Sequence, residues 1–318
     1  MKPMTFSVCL AATRADTVRH AIRSIQRQSL EDWELVVIGE RSNVALKKVV
    51  ERFVLIDSRI RYVEVSRPGL SHARNAGMLA SRGEYVAMID DDCEADRDWL
   101  AVLAACFRER PAPGVVGGAL LSPGPLSGVL SWCPSYVPAE AVYDPVAAPR
   151  RPPPGCDWVG ANFAIRKSLF DEVGPFDEYL GAGATFGAAE EVDYKLRLER
   201  LGVVMRTSPR AVMKHTYGQR SGVRQLLRGQ RNYARGNAAL AAKLTLLGDD
   251  RGLRWFKKNR RSGLRSWLQG PLYRLPLDLR RLWYYSSAYR ETLRLYAVDE
   301  QGLLRQRAVG RAARKIAV

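Results

Sequence analysis

Apolar and polar positions along the first hundred residues follow two periods in turn. Phe6–Ala11 is a short apolar run that reads as a strand, and Val18, Ala21, Ile22 and Ile25 then recur at the spacing of one helix face. Trp33–Ile38 predicts a second strand, followed by an amphipathic helix near Asn43–Phe53. Ile60–Val65 predicts a third strand, Ser71–Ala80 a helix, and Glu84–Asp90 a fourth strand. Strands that alternate with helices imply right-handed crossovers, so the expected class is α/β with a mostly parallel sheet. Ligands of such sheets gather at the carboxyl ends of the strands. Thr13, Glu40 and the cluster Asp90-Asp91-Asp92 all fall at such ends and can line one crevice.

The pattern changes after residue 110. Eleven of the seventeen prolines lie between 111 and 154, and proline denies ladder hydrogen bonds, so this stretch reads mainly as loop. Val115–Leu121 is a candidate strand within it. Order resumes with a strand-like run at Asp157–Arg166 and a short helix near Lys167–Val173. A glycine-rich turn (Gly181, Gly183, Gly187) then precedes a helix over Ala189–Leu201 and two short strands, Val203–Thr207 and Ala211–His215. Beyond 219 the chain reads as helical. Arg220, Arg224, Arg228, Arg231 and Arg235 are spaced to share one helix face, and arginines later mix with Trp267, Tyr273, Trp283, Tyr284, Tyr285 and Tyr289.

Charge sharpens this division. The chain of 318 residues carries a net charge of +17, and residues 219–318 hold 23 basic against 6 acidic side chains. The rest is neutral, with 27 of each. A basic region of this kind favours an anionic partner such as a membrane surface, nucleic acid or a polyphosphate. The five cysteines are scattered without a CxxC pair, which signals neither zinc nor a disulfide framework and fits a reducing compartment. The apolar run Phe6–Ala12 is too short for a signal peptide, and no stretch approaches the ~20 apolar residues of a spanning helix. The expected location is cytoplasmic, with peripheral attachment to the inner face of the membrane as its extension.

Four groups of residues carry candidate chemistry. Three carboxylates at one strand end repel each other unless a cation sits among them, and hard oxygen ligands suit Mg2+ or Mn2+. A solvated acidic turn is the plain alternative. Glu190 and Glu191, at a helix start beside a glycine-rich turn, suit either a general base or a helix cap. His215 is one of three histidines and ends an apolar strand, as a structural residue or as a metal ligand. The segment Gly69-Leu70-Ser71-His72-Ala73-Arg74-Asn75 opens a helix, where amides and a guanidinium suit a diphosphate or merely cap the helix.

Taken in order, the motifs resemble those of family 2 glycosyltransferases. They are Ser7–Arg14, the run from Pro68 to Gly77, and Gly83 to Asp92. Gly160 to Lys167, Val173 to Glu178, the glutamate pair with Asp193, and His215 complete the series. A DxD alone is weak, whereas the whole series at compatible spacing is specific. The resemblance covers about the first 218 residues and implies a GT-A (Rossmann-like) domain over 1–218. A proline-rich acceptor-side region (111–155) would lie inside it and a basic helical region (219–318) would follow.

The resemblance also implies roles. Ala12, Thr13 and Arg14 would border the nucleotide base and ribose, Asp90 and Asp91 would approach ribose and sugar, and Arg74 would lie near the diphosphate. Asp92 with His215 would hold a divalent cation, Mn2+ or Mg2+. Glu191 would be the catalytic base, Glu190 would contact donor sugar or acceptor, and Trp158, Gly160 and Asn162 would line the acceptor side. The implied reaction is inverting transfer from a UDP-, dTDP- or GDP-sugar to a hydroxyl of a glycan or lipid-linked acceptor, in one displacement.

Two positions depart from the family pattern. Gly39-Glu40 stands where an aspartate commonly reads the base, and Glu191 stands where the base is usually an aspartate. The QxxRW signature of processive synthases is absent. Two alternatives accompany this reading, a catalytically inactive sugar-nucleotide binder of the same fold and a nucleic-acid-binding protein, and the plain alternative for the basic region is a solvated helical appendage that packs on the body or forms a dimer. No nucleic-acid motif supports the second, so no nucleic-acid partner is expected.

Overall fold

The structure, a computed structural model, describes residues 5–124, 131–148, 152–269 and 275–308, and of residues 262–269 and 275 the backbone alone. Tyr273, the side chain of Trp267 and two stretches of the proline-rich region (125–130 and 149–151) lie outside the described residues.

The chain forms two compact units. The first comprises the chain up to Pro175 together with Tyr194–Leu226. Its opening strands are β1 (Phe6–Ala12), β2 (Trp33–Glu40), β3 (Ile60–Val65) and β4 (Tyr85–Asp90), all mutually parallel. They are linked by α1 (Val18–Gln26), α2 (Val44–Val54) and α3 (Leu70–Ala80), so the expected alternation is observed. After β4 come β5 (Glu94–Ala95), α4 (Trp99–Arg108), β6 (Val115–Leu121), β7 (Ser131–Trp132), β8 (Ala141–Tyr143), β9 (Phe163–Arg166) and α5 (Leu169–Val173). Then follow α6 (Glu190–Arg200, whose first four residues belong to the second unit), β10 (Met205–Lys214) and β11 (Arg220–Ser221). The main sheet runs β3-β2-β1-β4-β9-β6-β10-β5, with β8 on β10. β9 is antiparallel to β4 and β6, while β10 is parallel to β6. The fold is a mostly parallel α/β sheet flanked by helices.

Strands buried on both faces carry near-continuous apolar runs. Phe6, Val8, Leu10, Leu35 and Val37 are inaccessible and share one core with Val18, Ile22 and Ile25 of α1. The polar break in β1 has its own partners. Buried Ser7 donates to Glu34 (2.7 Å) and accepts from the Gly83 amide (2.8 Å), and Arg61 pairs with the same glutamate.

Two expected elements differ. The run Asp157–Arg166 is a strand only from Phe163, because Asn162 closes a turn onto Val159. The two strands expected over 203–215 form one strand, β10, whose pairing with β6 shifts register between Ser208 and Val212. The Ser-Pro-Arg sequence that reads as a turn is a bulge.

The second unit comprises Phe176–Asp193 and the chain from Leu227 onward, so it contains the glycine-rich turn and the glutamate pair. Its further elements are α7 (Gly222–Leu246, which begins in the first unit), α8 (Asp250–Gln269), α9 (Leu275–Leu295) and the hairpin of β12 (Tyr296–Val298) with β13 (Leu304–Gln306). Leu180 and Phe186 share its core with Ala238, Ala242, Tyr289 and Leu304. Phe256 stacks on Tyr289 at 3.8 Å. The arginine stripe is shorter than expected. Arg220 lies in β11, Arg224, Arg228 and Arg231 are exposed on α7, and Arg235 pairs with Glu291 at 3.2 Å. Among the described residues no helix is long and apolar enough to cross a membrane.

Candidate active site

The register of β1 pairs Ala11 with Asp90 and Ala12 with Gly39, which brings the ends of β1, β2 and β4 level. One carboxylate oxygen of Asp91 accepts from the Thr13 amide (2.6 Å), the Arg14 amide (2.8 Å) and the Thr13 hydroxyl (3.2 Å). Burial raises the pKa of Asp91, and the hydrogen bond from Thr13 and the charge of Arg14 offset only part of that. From the other side, Asn43 donates to the Thr13 carbonyl (2.7 Å) while capping α2. The loop carrying Thr13 and Arg14 is thereby held at both edges. Ala12 is buried beneath it, and Glu40 accepts from the Ser42 hydroxyl at 2.7 Å.

Asp92 and His215 meet in the same crevice, both about 5% exposed. Asp92 Oδ1 lies 3.2 Å from His215 Nε2, and Asp92 Oδ2 lies 2.7 Å from Arg14 Nη2. His215 Nδ1 is 3.1 Å from the Pro134 carbonyl. A carbonyl only accepts, so Nδ1 carries a proton there and Nε2 faces the carboxylate. Ordering the ring from behind in this way is typical of metal-binding histidines. Burial acts to raise the pKa of Asp92, but the hydrogen bond and charge of His215 together with Arg14 outweigh it and hold Asp92 at about 2. Burial acts to lower His215, and Asp92 overrides it, so the imidazole pKa is raised.

Asp92, Cys93 and His215 present one ligand atom each within 4.8 Å of one another. Carboxylate and imidazole suit Mn2+ or Mg2+ better than the soft thiol does, so the donor set fits the implied cation through Asp92 and His215. Gly218 is part of this arrangement. A Cβ there would fall 1.9 Å from His215 Nε2, so the chain can pass over the ring only as glycine.

Arg74 lies behind the carboxylate cluster. Its side chain is 2% exposed; it donates to the Gly160 carbonyl (2.7 Å) and lies 3.5 Å from Asp90. The guanidinium is enclosed behind Asp90. It orders Asp90 and the Gly160 turn. Burial pushes Asp90 up to about 6 although Arg74 opposes this, with Asp92 and Asp91 adding to the rise. Arg14, 46% exposed at its side chain, presents a guanidinium at the crevice.

On the expected acceptor side, Asn162 is fully buried. It accepts from Trp99 Nε1 (2.8 Å) and donates to the carbonyls of Ala119 (2.7 Å) and Ala211 (2.9 Å). It pins β6 and β10 to the turn before β9 and offers no surface to an acceptor. Trp158 packs on Phe163 with ring centres 4.3 Å apart, and its buried Nε1 has no hydrogen-bond partner among the described residues. Gly160 abuts the Arg74 guanidinium.

Glu190 and Glu191 open α6 in the second unit. Glu190 is buried and Glu191 half-buried. Ala189, immediately before them, has φ +78°, a left-handed conformation uncommon for alanine and typical of strained functional turns.

Sequence reasoning did not assign Gly218, Asn43 or Lys243, nor the contact of Arg14 with Asp92. A glycine three residues after the one strand-ending histidine was the available signal for Gly218. A single charge inside the apolar stretch Ala238–Leu244 was the signal for Lys243.

Solved structures share this architecture. A mannosyltransferase from Pyrobaculum calidifontis, in complex with GDP-Man and Mn2+, superposes with a TM-score of 0.58 at 15% identity, covering 92% of this chain and 88% of that one. S. aureus TarS superposes with a TM-score of 0.58 at 14% identity, covering 96% of each. The likeness is one of fold, and it places the first unit's sheet in the GT-A class. The family model for glycosyl transferase family 2 matches residues 7–174, more than half of the chain, and the chain belongs to that family.

Among curated relatives, the glucosyl-dolichyl phosphate glucuronosyltransferase of Haloferax volcanii is 26% identical over 184 residues, 53% of each chain. The GalNAc(5)-diNAcBac-PP-undecaprenol beta-1,3-glucosyltransferase of Campylobacter jejuni is 36% identical over 76 residues, 23% of this chain and 25% of its own. The chain spans about half the length of the Haloferax protein and about a quarter of the Campylobacter protein.

Proposed function

We propose that the protein transfers a sugar from a nucleoside diphosphate sugar to an acceptor hydroxyl, with inversion at the anomeric carbon. The buried Asp92–His215 pair, its imidazole ordered by Pro134 and roofed by Gly218, is the observation that carries this reading. A divalent cation held there would supply charge neutralisation at the departing diphosphate. Arg14 adds a half-exposed guanidinium in the same crevice, with buried Arg74 behind Asp90. Thr13 and Ala12 border the nucleotide, with Glu40 at the neighbouring strand end as the reader of the base.

Glu191 accepts the proton of the acceptor hydroxyl, whose oxygen bonds to the anomeric carbon as the sugar–diphosphate bond breaks on the opposite face. Support for this role is the family position of Glu191, its half-buried carboxylate and its place in a helix turn fixed by a strained residue. Trp158, whose indole N–H has no partner among the described residues, and Gly160 belong to the acceptor side. Glu191→Gln tests the role. Turnover falls at least about 100-fold while donor affinity stays within about twofold; unchanged turnover contradicts it.

The acceptor we infer is lipid-linked. Two relatives act, by name, on dolichyl phosphate- and undecaprenol-linked sugars. On α9, Trp283 is 62% exposed about one turn from Leu279 and Arg280, a composition suited to the interface of an anionic membrane. Peripheral attachment there would bring a lipid-linked acceptor and this enzyme to one surface.

A further inference from the structure

We propose that Lys243 is a positioning residue for the glutamate pair, an inference that rests on the reading of Glu191 as the base. Lys243 on α7 is 1% exposed, and its ammonium lies 2.7 Å from Asp177 Oδ2 and 2.6 Å from Asp193 Oδ1. Both carboxylates are buried as well. Asp177 additionally accepts the amides of Tyr179 (3.1 Å) and Leu304 (2.9 Å). One cluster of three charges therefore joins the entry to the glycine-rich turn, the first turn of α6, the end of α7 and strand β13, all within the second unit.

Burying charges is expensive, and apolar residues of similar volume commonly hold helices together as well or better. What a buried ion cluster adds is a defined geometry. Asp193 is two residues after Glu191, about 200° around the helix. Anchoring Asp193 inward fixes the rotation of α6 about its axis, which directs the half-buried Glu191 away from that anchor.

The backbone of the turn is held by the same helix. The Asp193 amide closes the first helical turn onto the Ala189 carbonyl at 3.0 Å, and Ala189 is the residue in the left-handed conformation. One residue earlier, α7 lies so close that a Cβ on Gly236 would fall 2.4 Å from the Ala188 carbonyl oxygen. α7 thus seats the strained turn from which Glu190 and Glu191 project, and Lys243 adds a buried ionic contact to it.

The test compares Lys243→Met, Glu191→Gln and the double variant in the full chain. It reads nucleoside diphosphate release from UDP-glucose, dTDP-glucose or GDP-mannose, whichever the wild type cleaves fastest with Mn2+. Lys243→Met is expected to lower kcat at least tenfold, with KM for the donor within twofold and the pH profile of kcat displaced. In the Glu191→Gln background it is expected to cause no further loss, because it acts through that carboxylate. Full activity of Glu191→Gln overturns the base reading and this proposal with it. An inactive Glu191→Gln beside a fully active Lys243→Met overturns this proposal alone, as does an additive loss in the double variant. If Lys243→Met does not fold, Asp193→Asn decides: a tenfold lower kcat at unchanged donor KM supports the proposal and an unchanged kcat overturns it.

Discussion

His215 Nε2 faces Asp92 Oδ1 at 3.2 Å while its other ring nitrogen is held by the Pro134 carbonyl. This orientation needs Gly218, the only residue type that leaves room over the ring. Gly218→Ala would push the imidazole out of line. The expected result is a Mn2+ affinity about 10- to 100-fold weaker at nearly unchanged melting temperature. Isothermal titration of the variant checks this, and wild-type affinity would show that the ring position is not needed.

The same pair gives a pH dependence of defined sign. Asp92 lies at about 2 against an ordinary 3.8, so its contribution to stability is present above 3.8 and fades as pH falls through 2. His215 lies above its ordinary 6.5, so its contribution is complete below 6.5 and fades as pH rises through the raised value. Without divalent ions, His215→Ala should therefore cost more stability at pH 5.5 than at pH 9 in urea titrations. Cation binding must displace the imidazole proton, so Mn2+ affinity should rise about tenfold per pH unit below the raised value. Equal costs at both pH values, or a flat affinity, would contradict the pairing.

The two arginines of the crevice should separate cleanly. Arg74 is buried against Asp90 and Gly160, and removing one member of such a pair typically costs about 3–5 kcal/mol. Arg14 is half-exposed, so its loss should cost about 1 kcal/mol or less. Arg74→Ala should appear in the melting curve, and Arg14→Ala chiefly in donor KM and kcat.

Membrane association is checked with sedimenting phosphatidylglycerol vesicles. Wild type should co-sediment at low salt and be released at high salt, and Trp283→Ala should weaken binding several-fold. Binding that is indifferent to both salt and Trp283 contradicts the placement of the interface on α9.

Much of this was legible in the chain itself. β1, β2 and β4 are buried on both faces, so their apolar runs stand out, and the polar residues that end them mark the crevice. Asp92 and His215 lie far apart in sequence, and only the resemblance to the family joins them. Burial of a charge was not legible. Arg74 opens a helix, where a guanidinium reads equally as a phosphate ligand, and nothing local reveals the Gly160 carbonyl beside it. Asn162 reads as polar and therefore accessible, yet its three hydrogen bonds lie wholly within the core. The bulge in β10 hides behind Ser208-Pro209-Arg210, which has the composition of a turn. The chain beyond 219 reads as a basic appendage because its charge dominates its composition. The apolar face of α7, interrupted by one lysine, holds the glycine-rich turn within the second unit.

The most direct test is a Mn2+ titration of nucleoside diphosphate release from UDP-glucose, dTDP-glucose and GDP-mannose, comparing wild type with Asp92→Asn. With at least one of these donors the wild type should show saturable, EDTA-reversible release, and Asp92→Asn should lose it by about 100-fold or more while remaining folded. Release that persists in EDTA, or an Asp92→Asn variant as active as wild type, would contradict the assignment of this crevice.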